Sequence, residues 1–253
     1  MYKLLFFYLL VPFFAECQSS NLSIGIDGGN NFTTLLSNSH YERSLFVGQS
    51  IGLKVRYNLK GNIFVPKAFI GGGKSLENLC IETGLRYVCN GYGYRIQGTQ
   101  VFYGMDQLEW PLLLSTRFTQ WLSPGMIKKR IQFIEWLGPV LVLQRNSSIT
   151  HSYKLSDEIL TENISHSSIG LSYVMGVGME RKIKGIGFHE KIVDMIIGTG
   201  FSYHLGFTNI STISFTGSKS GDLVDNSFMG SYFSMDLYVI PLQRLRLIGK
   251  PIE

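Results

Sequence analysis

Apolar and hydrophilic side chains take turns along several stretches of this chain, and a period of two requires extended structure with two unlike faces. Ile51, Leu53, Val55, Tyr57 and Leu59 interleave with Gly52, Lys54, Arg56 and Asn58. Leu79, Ile81, Thr83, Leu85 and Tyr87 oppose Cys80, Glu82, Gly84 and Arg86. Leu108, Trp110, Leu112 and Leu114 stand against Glu109 and Arg117, and Leu171, Tyr173, Met175, Val177 and Met179 against Gly170, Ser172, Gly176, Gly178 and Glu180. The charges fall on the glycine-bearing face. A soluble barrel would turn its charges outward around an apolar core, so this choice of side predicts lipid on the apolar face and a polar interior.

Segments of this kind occupy approximately 22–29, 46–59, 76–88, 101–116, 130–143, 168–181, 191–206 and 227–240. Eight is an even number, as a closed antiparallel barrel with both termini at one end requires. The segment 130–143 alternates least cleanly, because Ile134, Trp136 and Val140 compete with Phe133, Leu137 and Leu141. The expected fold is all-β, an eight-stranded antiparallel up-and-down transmembrane β-barrel.

The first residues, Met1-Tyr2-Lys3, precede an apolar run from Leu4 to Phe14 and then Ala15-Glu16-Cys17-Gln18. That is the pattern of a secretory signal, too short for a spanning helix. Cleavage is expected after Cys17, giving a signal peptide at 1–17 and a barrel domain at 18–253 whose strands end near 240, followed by a short tail. A lipid-modified Cys17 is the alternative, disfavoured by Glu16 before it. Cys80 and Cys89 are too few for a disulfide scaffold and match no metal-binding spacing. Charged residues are 16% of the chain and aromatic residues 13%, with 28 glycines, which suits a lipid-facing barrel better than a soluble enzyme. The net charge of +5 could suit nucleic acid, but a secretory signal argues for an envelope protein with no nucleic-acid partner.

The connections at 30–45, 89–100, 144–167 and 207–226 are rich in Ser, Asn, Thr and Gly, like the long external loops of such barrels. Those at 60–75, 117–129 and 182–190 carry Lys60, Lys67, Lys74, Arg117, Lys128, Lys129, Arg181, Lys182 and Lys184. They are assigned to the periplasmic side, with short helices or extended strand ends accounting for their length.

Three stretches carry a family resemblance. Leu108-Glu109-Trp110-Pro111-Leu112-Leu113-Leu114, Gly176-Val177-Gly178-Met179-Glu180 and Tyr203-His204-Leu205-Gly206-Phe207-Thr208-Asn209-Ile210-Ser211 resemble the PorT-like outer-membrane β-barrel family of Bacteroidota in order and spacing. Gly25-Ile26-Asp27-Gly28-Gly29 is similar to its first strand. The resemblance implies an integral outer-membrane protein reached through the inner membrane, and it leaves open a role in envelope assembly or protein secretion. It departs from the family at the end, where Pro241 and the tail Leu242 to Glu253 stand in place of a terminal aromatic residue.

An eight-stranded barrel is only just wide enough for its own side chains. Lys54, Arg56 and Arg86 are therefore expected to meet Glu82, Glu109, Glu135, Glu180 and Asp236 in an internal ion-pair network, since unpaired charge there is strongly disfavoured. A polar ion path through the same residues is the functional alternative. Phe69-Ile70-Gly71-Gly72-Gly73-Lys74-Ser75 comes near a phosphate-binding loop. It has Ala68 in place of the first glycine and no helix after it, so a turn is the reading taken. Gly91-Tyr92-Gly93-Tyr94 misses a dinucleotide fingerprint. Of the five histidines only His204 falls in a predicted strand, pointing inward. Asn21, Asn31, Asn146, Asn163 and Asn209 lie in Asn-x-Ser/Thr triplets that arise freely in Ser/Asn-rich sequence. Outward aromatic residues such as Tyr87, Trp110 and Tyr173 suit interfacial girdles.

The expected function is that of a non-enzymatic, monomeric outer-membrane barrel without cofactor, filled by its own side chains, with external loops that could bind. Its partners would be outer-membrane lipid and an envelope protein at the basic turns. Two alternatives stand beside this: an envelope assembly or secretion component resembling PorT, and a lipid-modifying enzyme embedded in the barrel, assembling Ser and His from separate strands.

Overall fold

The computed structural model describes residues 22–33, 42–59, 78–96, 99–118, 131–144, 148–154, 159–188, 191–208, 211–217, 221–228 and 230–247. Every regular element among them is a strand. In chain order they are β1 (Leu22–Thr33), β2 (Glu42–Ser44), β3 (Phe46–Asn58), β4 (Asn78–Ile96), β5 (Thr99–Phe118), β6 (Ile131–Gln144), β7 (Ser148–Lys154), β8 (Ile159–His166), β9 (Ile169–Phe188), β10 (Lys191–Gly206), β11 (Ser211–Gly217), β12 (Gly221–Phe228) and β13 (Tyr232–Leu247).

Eight of these close a barrel in the order β4-β3-β1-β13-β10-β9-β6-β5, with β5 returning to β4 and every pair antiparallel. The chain thus winds up and down between neighbours, and β1 seals against β13 from Ile26–Val239 to Phe32–Phe233. Closure removes the sheet edges that an open sheet would expose, and it satisfies the backbone internally. All eight alternating segments of the sequence correspond to barrel strands, and β10 spans Lys191–Gly206 as expected.

Inside and outside follow the sequence alternation. On β9, Leu171, Met175, Val177 and Met179 are exposed while Ser172, Val174 and Glu180 are buried. On β13, Phe233, Met235 and Leu237 face out and Tyr232, Ser234, Asp236, Tyr238 and Ile240 face in. Exposed apolar side chains continue around the wall on β3 (Ile51, 62% exposed), β5 (Trp110, 57%) and β10 (Phe201, 60%). A barrel in water would bury such residues.

Several expectations need correction, among them the connection at 89–100, where β4 runs to Ile96 and β5 begins at Thr99. The last strand does not stop near 240: β13 continues through Pro241 to Leu247, still paired to β10 at Met195–Pro241 and Lys191–Leu247. Beside Asp194 the β10–β13 register shifts, and such an irregularity lets a strand tolerate a residue without an N–H. The connection at 182–190 is mostly strand: β9 runs to Phe188 and pairs with β10 up to Phe188–Lys191, with Gly185 at φ 71 inside it. The loops at 144–167 and 207–226 are also largely extended. They form the hairpins β7–β8 and β11–β12, which join through β8–β11 into a separate four-stranded sheet at the polar-loop end of the barrel. Alternation gave no clear signal for these hairpins because each strand carries only two or three apolar residues among Ser, Thr, Asn and charged ones; Ile149, Ile164 and Ile213 come onto one face only through the β7–β8–β11 pairing. The signal peptide, the Gly71–Gly73 turn and the tail beyond Leu247 lie outside the described residues.

Candidate functional site

The lumen is the candidate site, and its chemistry follows from which residues the pleat turns inward. Near the basic-turn end, β3 supplies Lys54 and Arg56, β4 Glu82, β5 Arg117 and β9 Glu180. Glu82 collects three cations: Lys54 Nζ at 2.7 Å, Arg56 Nε at 2.8 Å and Arg117 Nη2 at 3.2 Å. Glu180 holds Arg56 Nη2 at 3.1 Å and Arg117 Nε at 2.5 Å. Ser115 Oγ donates to Glu82 at 2.8 Å and Tyr238 Oη to Glu180 at 2.9 Å. Arg117 Nη1 reaches Cys80 Sγ at 2.6 Å, and the Cys80 thiol donates to Asn58 Oδ1 at 2.9 Å. Buried charges hold only when paired and hydrogen-bonded, and the shared carboxylates achieve this by each serving several donors.

A second cluster lies toward the polar-loop end. Arg86 Nη2 binds Asp236 Oδ1 at 2.6 Å and Ser50 Oγ at 2.7 Å, and its Nε stands 3.3 Å from Asp27 Oδ2. Glu109 accepts from Tyr232 Oη at 2.7 Å. The Tyr232 ring stacks on His204 with centroids 4.0 Å apart. Ser234 Oγ donates to Asp236 Oδ2 at 2.9 Å and shares a 2.6 Å hydrogen bond with Ser202.

Between and beside these clusters the lumen is apolar. Ile134, Trp136, Tyr238 and Ile240 pack together with Leu113 and Ile196, and Val140, Val142 and Val174 form a second patch against Leu113. Trp136 fits because β9 and β10 present glycine beneath it: a Cβ at Gly176 would come 2.4 Å from the indole, and one at Gly200 2.2 Å. Lys54 Nζ lies 4.5 Å from the Tyr238 ring centroid and 5.7 Å from that of Trp136, within cation–π range.

Seven of the eight residues expected to line the lumen do so: Lys54, Arg56, Glu82 and Glu180 in the first cluster, Arg86, Asp236 and Glu109 in the second. Glu135 does not. Ile134 and Trp136 on either side of it are the inward residues of β6, so Glu135 lies on the outer wall, half-buried, where its carboxylate accepts from Thr116 Oγ1 at 3.0 Å. Its charge suggested an interior position, but the register of β6 is set by the bulk of Trp136, which needs the space above Gly176 and Gly200. Sequence reasoning left Arg117 and Asp27 out of the network. Both could have been found, since Arg117 lies eight residues from Glu109 on one face and Asp27 alternates with Gly25 and Gly29. Tyr232, Tyr238 and Ser50 carried no charge to mark them.

Ser202, His204 and Glu109 are close together, yet loosely arranged for nucleophilic chemistry. Ser202 Oγ is 3.4 Å from His204 Nε2, and His204 Nδ1 is 3.9 Å from Glu109 Oε2. Ser202 has its shorter hydrogen bond with Ser234.

No family model and no curated protein matches the chain. Among solved structures, the crystal structure of the outer membrane protein OprG from Pseudomonas aeruginosa is similar at 10% identity with a TM-score of 0.40, over 88% of this chain and 95% of that one. The eight-stranded closure described above rests on the pairing of this chain's own strands.

Proposed function

We propose that the chain is an integral outer-membrane protein without catalytic activity, whose barrel is sealed by its own side chains and which meets its partners through the sheet at the polar-loop end and through lipid on its wall. The observation that carries this reading is the inversion of polarity. Arg56, Glu82, Glu109 and Glu180 are at most 4% exposed, while Val47, Ile51, Trp110, Val177, Phe201 and Phe233 are each more than half exposed. In water that arrangement would cost both the desolvation of the charges and the hydration of the apolar wall. In a bilayer the second cost disappears and closure satisfies the backbone. The ion-pair clusters and the layer of Ile134, Trp136, Tyr238 and Ile240 fill the bore, which supports a structural barrel over an open pore. The PorT-like likeness of the residues around Pro111, Gly178 and His204 supports an assignment to the envelope of a Bacteroidota cell, with a monomeric barrel and no cofactor.

Fractionation of cells into soluble, inner-membrane and outer-membrane pools, followed by gel migration before and after boiling, tests this. The expected result is recovery in the outer membrane with a faster-running unboiled form. Recovery in the soluble pool with one migration position would overturn it.

A further inference from the structure

The ladders that join β6, β9, β10 and β13 set their outward residues in lateral rows. Glu135, Val177, Phe201 and Met235 make one row, and Leu137, Met175, Tyr203 and Phe233 make the next toward the polar-loop end. Val177 is the smallest side chain among them and stands between Glu135 and Phe201, so the wall dips there. The dip belongs to a groove of about 650 Å³ lined by both rows apart from Met235, together with the inward residues Trp136, Gly176 and Ser202 that lie between the rows. Met175, Val177, Phe201 and Phe233 are exposed, which places the groove on the outer surface. The Tyr203 and Phe233 rings, with centroids 4.7 Å apart, close the corner farthest from Glu135.

Glu135 is the charged side chain of this groove. It is half-buried, it accepts from Thr116 Oγ1 at 3.0 Å, and among the described residues no cation pairs with it. The lumenal carboxylates are treated differently: Glu82 holds Lys54, Arg56 and Arg117, and Glu180 holds Arg56 and Arg117. A carboxylate that faces hydrocarbon with one hydroxyl for company is strongly disfavoured and calls for a counter-charge from outside the chain. The exposed Arg181 stands on the same outer face opposite Ile131, two rows nearer the basic-turn end than the Glu135–Val177 pair. Glu135 therefore lies within the apolar band, at the end of the groove that points toward the headgroups.

We propose that the groove binds a long-chain primary amine from the surrounding membrane. The ammonium donates to the Glu135 carboxylate, and the hydrocarbon tail lies over Val177 and along Leu137 and Met175 toward the Tyr203–Phe233 corner. Head toward the basic-turn end and tail toward the middle of the wall is the orientation of an amphiphile in the leaflet on that side. A carboxylate attracts an ammonium and repels a carboxyl or phosphate head, and because it accepts a hydrogen bond it favours a primary over a quaternary ammonium. A second copy docked about a two-fold axis through the groove would bring Glu135 against its own equivalent in hydrocarbon, where like charges repel strongly. Binding of the amine rests on the membrane reading above.

The test uses the full-length barrel in non-ionic detergent micelles, photolabelled with a dodecylamine that carries a mid-chain diazirine. Expected is saturable labelling at Leu137, Met175, Tyr203 or Phe233, competed by dodecylamine but by neither dodecanol nor dodecyltrimethylammonium. Glu135→Gln should lower labelling by roughly tenfold or more, as loss of a charge-assisted hydrogen bond does. Val177→Phe, which fills the dip and keeps the carboxylate, should lower it as well. Heat-modifiable migration of each variant reports the fold separately. Undiminished labelling in Glu135→Gln, or equal competition by dodecanol, would overturn the amine site while leaving the membrane barrel standing. A disulfide-linked dimer of Val177→Cys in a Cys80→Ser, Cys89→Ser background, formed with or without the amine, would give the groove to a second copy and overturn it too. A parent protein in the soluble pool with one migration position would instead strike at the membrane reading.

Discussion

A carboxylate's worth in this barrel depends on the parity of its position more than on its chemistry. Glu82 and Glu135 are both glutamates on interior strands, yet one serves three cations in a closed lumen and the other sits on the wall beside Thr116. Removing Glu82 takes away the carboxylate that Lys54 pairs with and leaves Arg56 and Arg117 sharing Glu180, and stranding buried charge typically costs about 3–5 kcal/mol. Glu82→Gln is therefore expected to lower the urea-unfolding stability of the detergent-folded barrel by roughly that amount. Glu135→Leu takes a carboxylate off a lipid-facing wall and is expected to be neutral or stabilising by about 1 kcal/mol in the same assay. Arg117→Met should resemble Glu82→Gln, since it removes a partner from both Glu82 and Glu180. A reversed order, with Glu135→Leu costing more than Glu82→Gln, would mean that β6 carries the other register. The interior charges were legible in the sequence because Lys54, Arg56, Glu82 and Arg86 fall on faces whose other members are small or polar. Glu135 was misplaced because polarity was used to assign its face, while the space needed by Trp136 decides it.

At the scale of the strand, β9 and β10 show what the glycines accomplish. Gly176 and Gly200 leave a slot for the Trp136 indole, and Gly198 lies under the Tyr238 ring, where a Cβ would come 2.1 Å from the ring. These contacts join β6, β9, β10 and β13 through the lumen as well as through their ladders. Gly176→Val would push the indole off its seat, and overpacking of this kind costs about 1–3 kcal/mol. The expected result is a stability loss in that range, together with a shift in tryptophan emission that is absent when Trp136→Leu is combined with it. An unshifted emission would place the indole elsewhere. The strands were legible where alternation is strict, and their ends were not: β13 passes through Pro241, and β9 continues into residues that looked like a basic connection. Proline and a run of charges are ordinarily punctuation, but a register irregularity and a solvent-exposed strand end accommodate both. The hairpins β7–β8 and β11–β12 belong to a different sheet, so replacing 148–166 with a short Gly/Ser connection is expected to leave heat-modifiable barrel migration intact.

For the molecule as a whole, eight strands, a filled bore and an apolar wall make one consistent object. Among the described residues the two ion-pair clusters and the layer of Ile134, Trp136, Tyr238 and Ile240 occupy the bore, so bilayers containing the protein are expected to show no steady single-channel conductance. The architecture was legible from the sequence because a barrel spreads its signal over eight weak repeats that agree with one another. The extra sheet was not, since its short strands carry few apolar residues each and the β8–β11 pairing that joins its two hairpins links segments far apart in the chain.

The inversion of polarity is tested most directly by spin-label accessibility along β9. Single cysteines at positions 171 to 175, 177 and 179, in a Cys80→Ser, Cys89→Ser background reconstituted in bilayers, would be probed with membrane-soluble oxygen and with a water-soluble nickel chelate. Labels at Leu171, Tyr173, Met175, Val177 and Met179 should collide with oxygen and be shielded from nickel, whereas those at Ser172 and Val174 should be poorly reached by either. Nickel reaching the odd-numbered set as freely as solvent would contradict a lipid-facing wall.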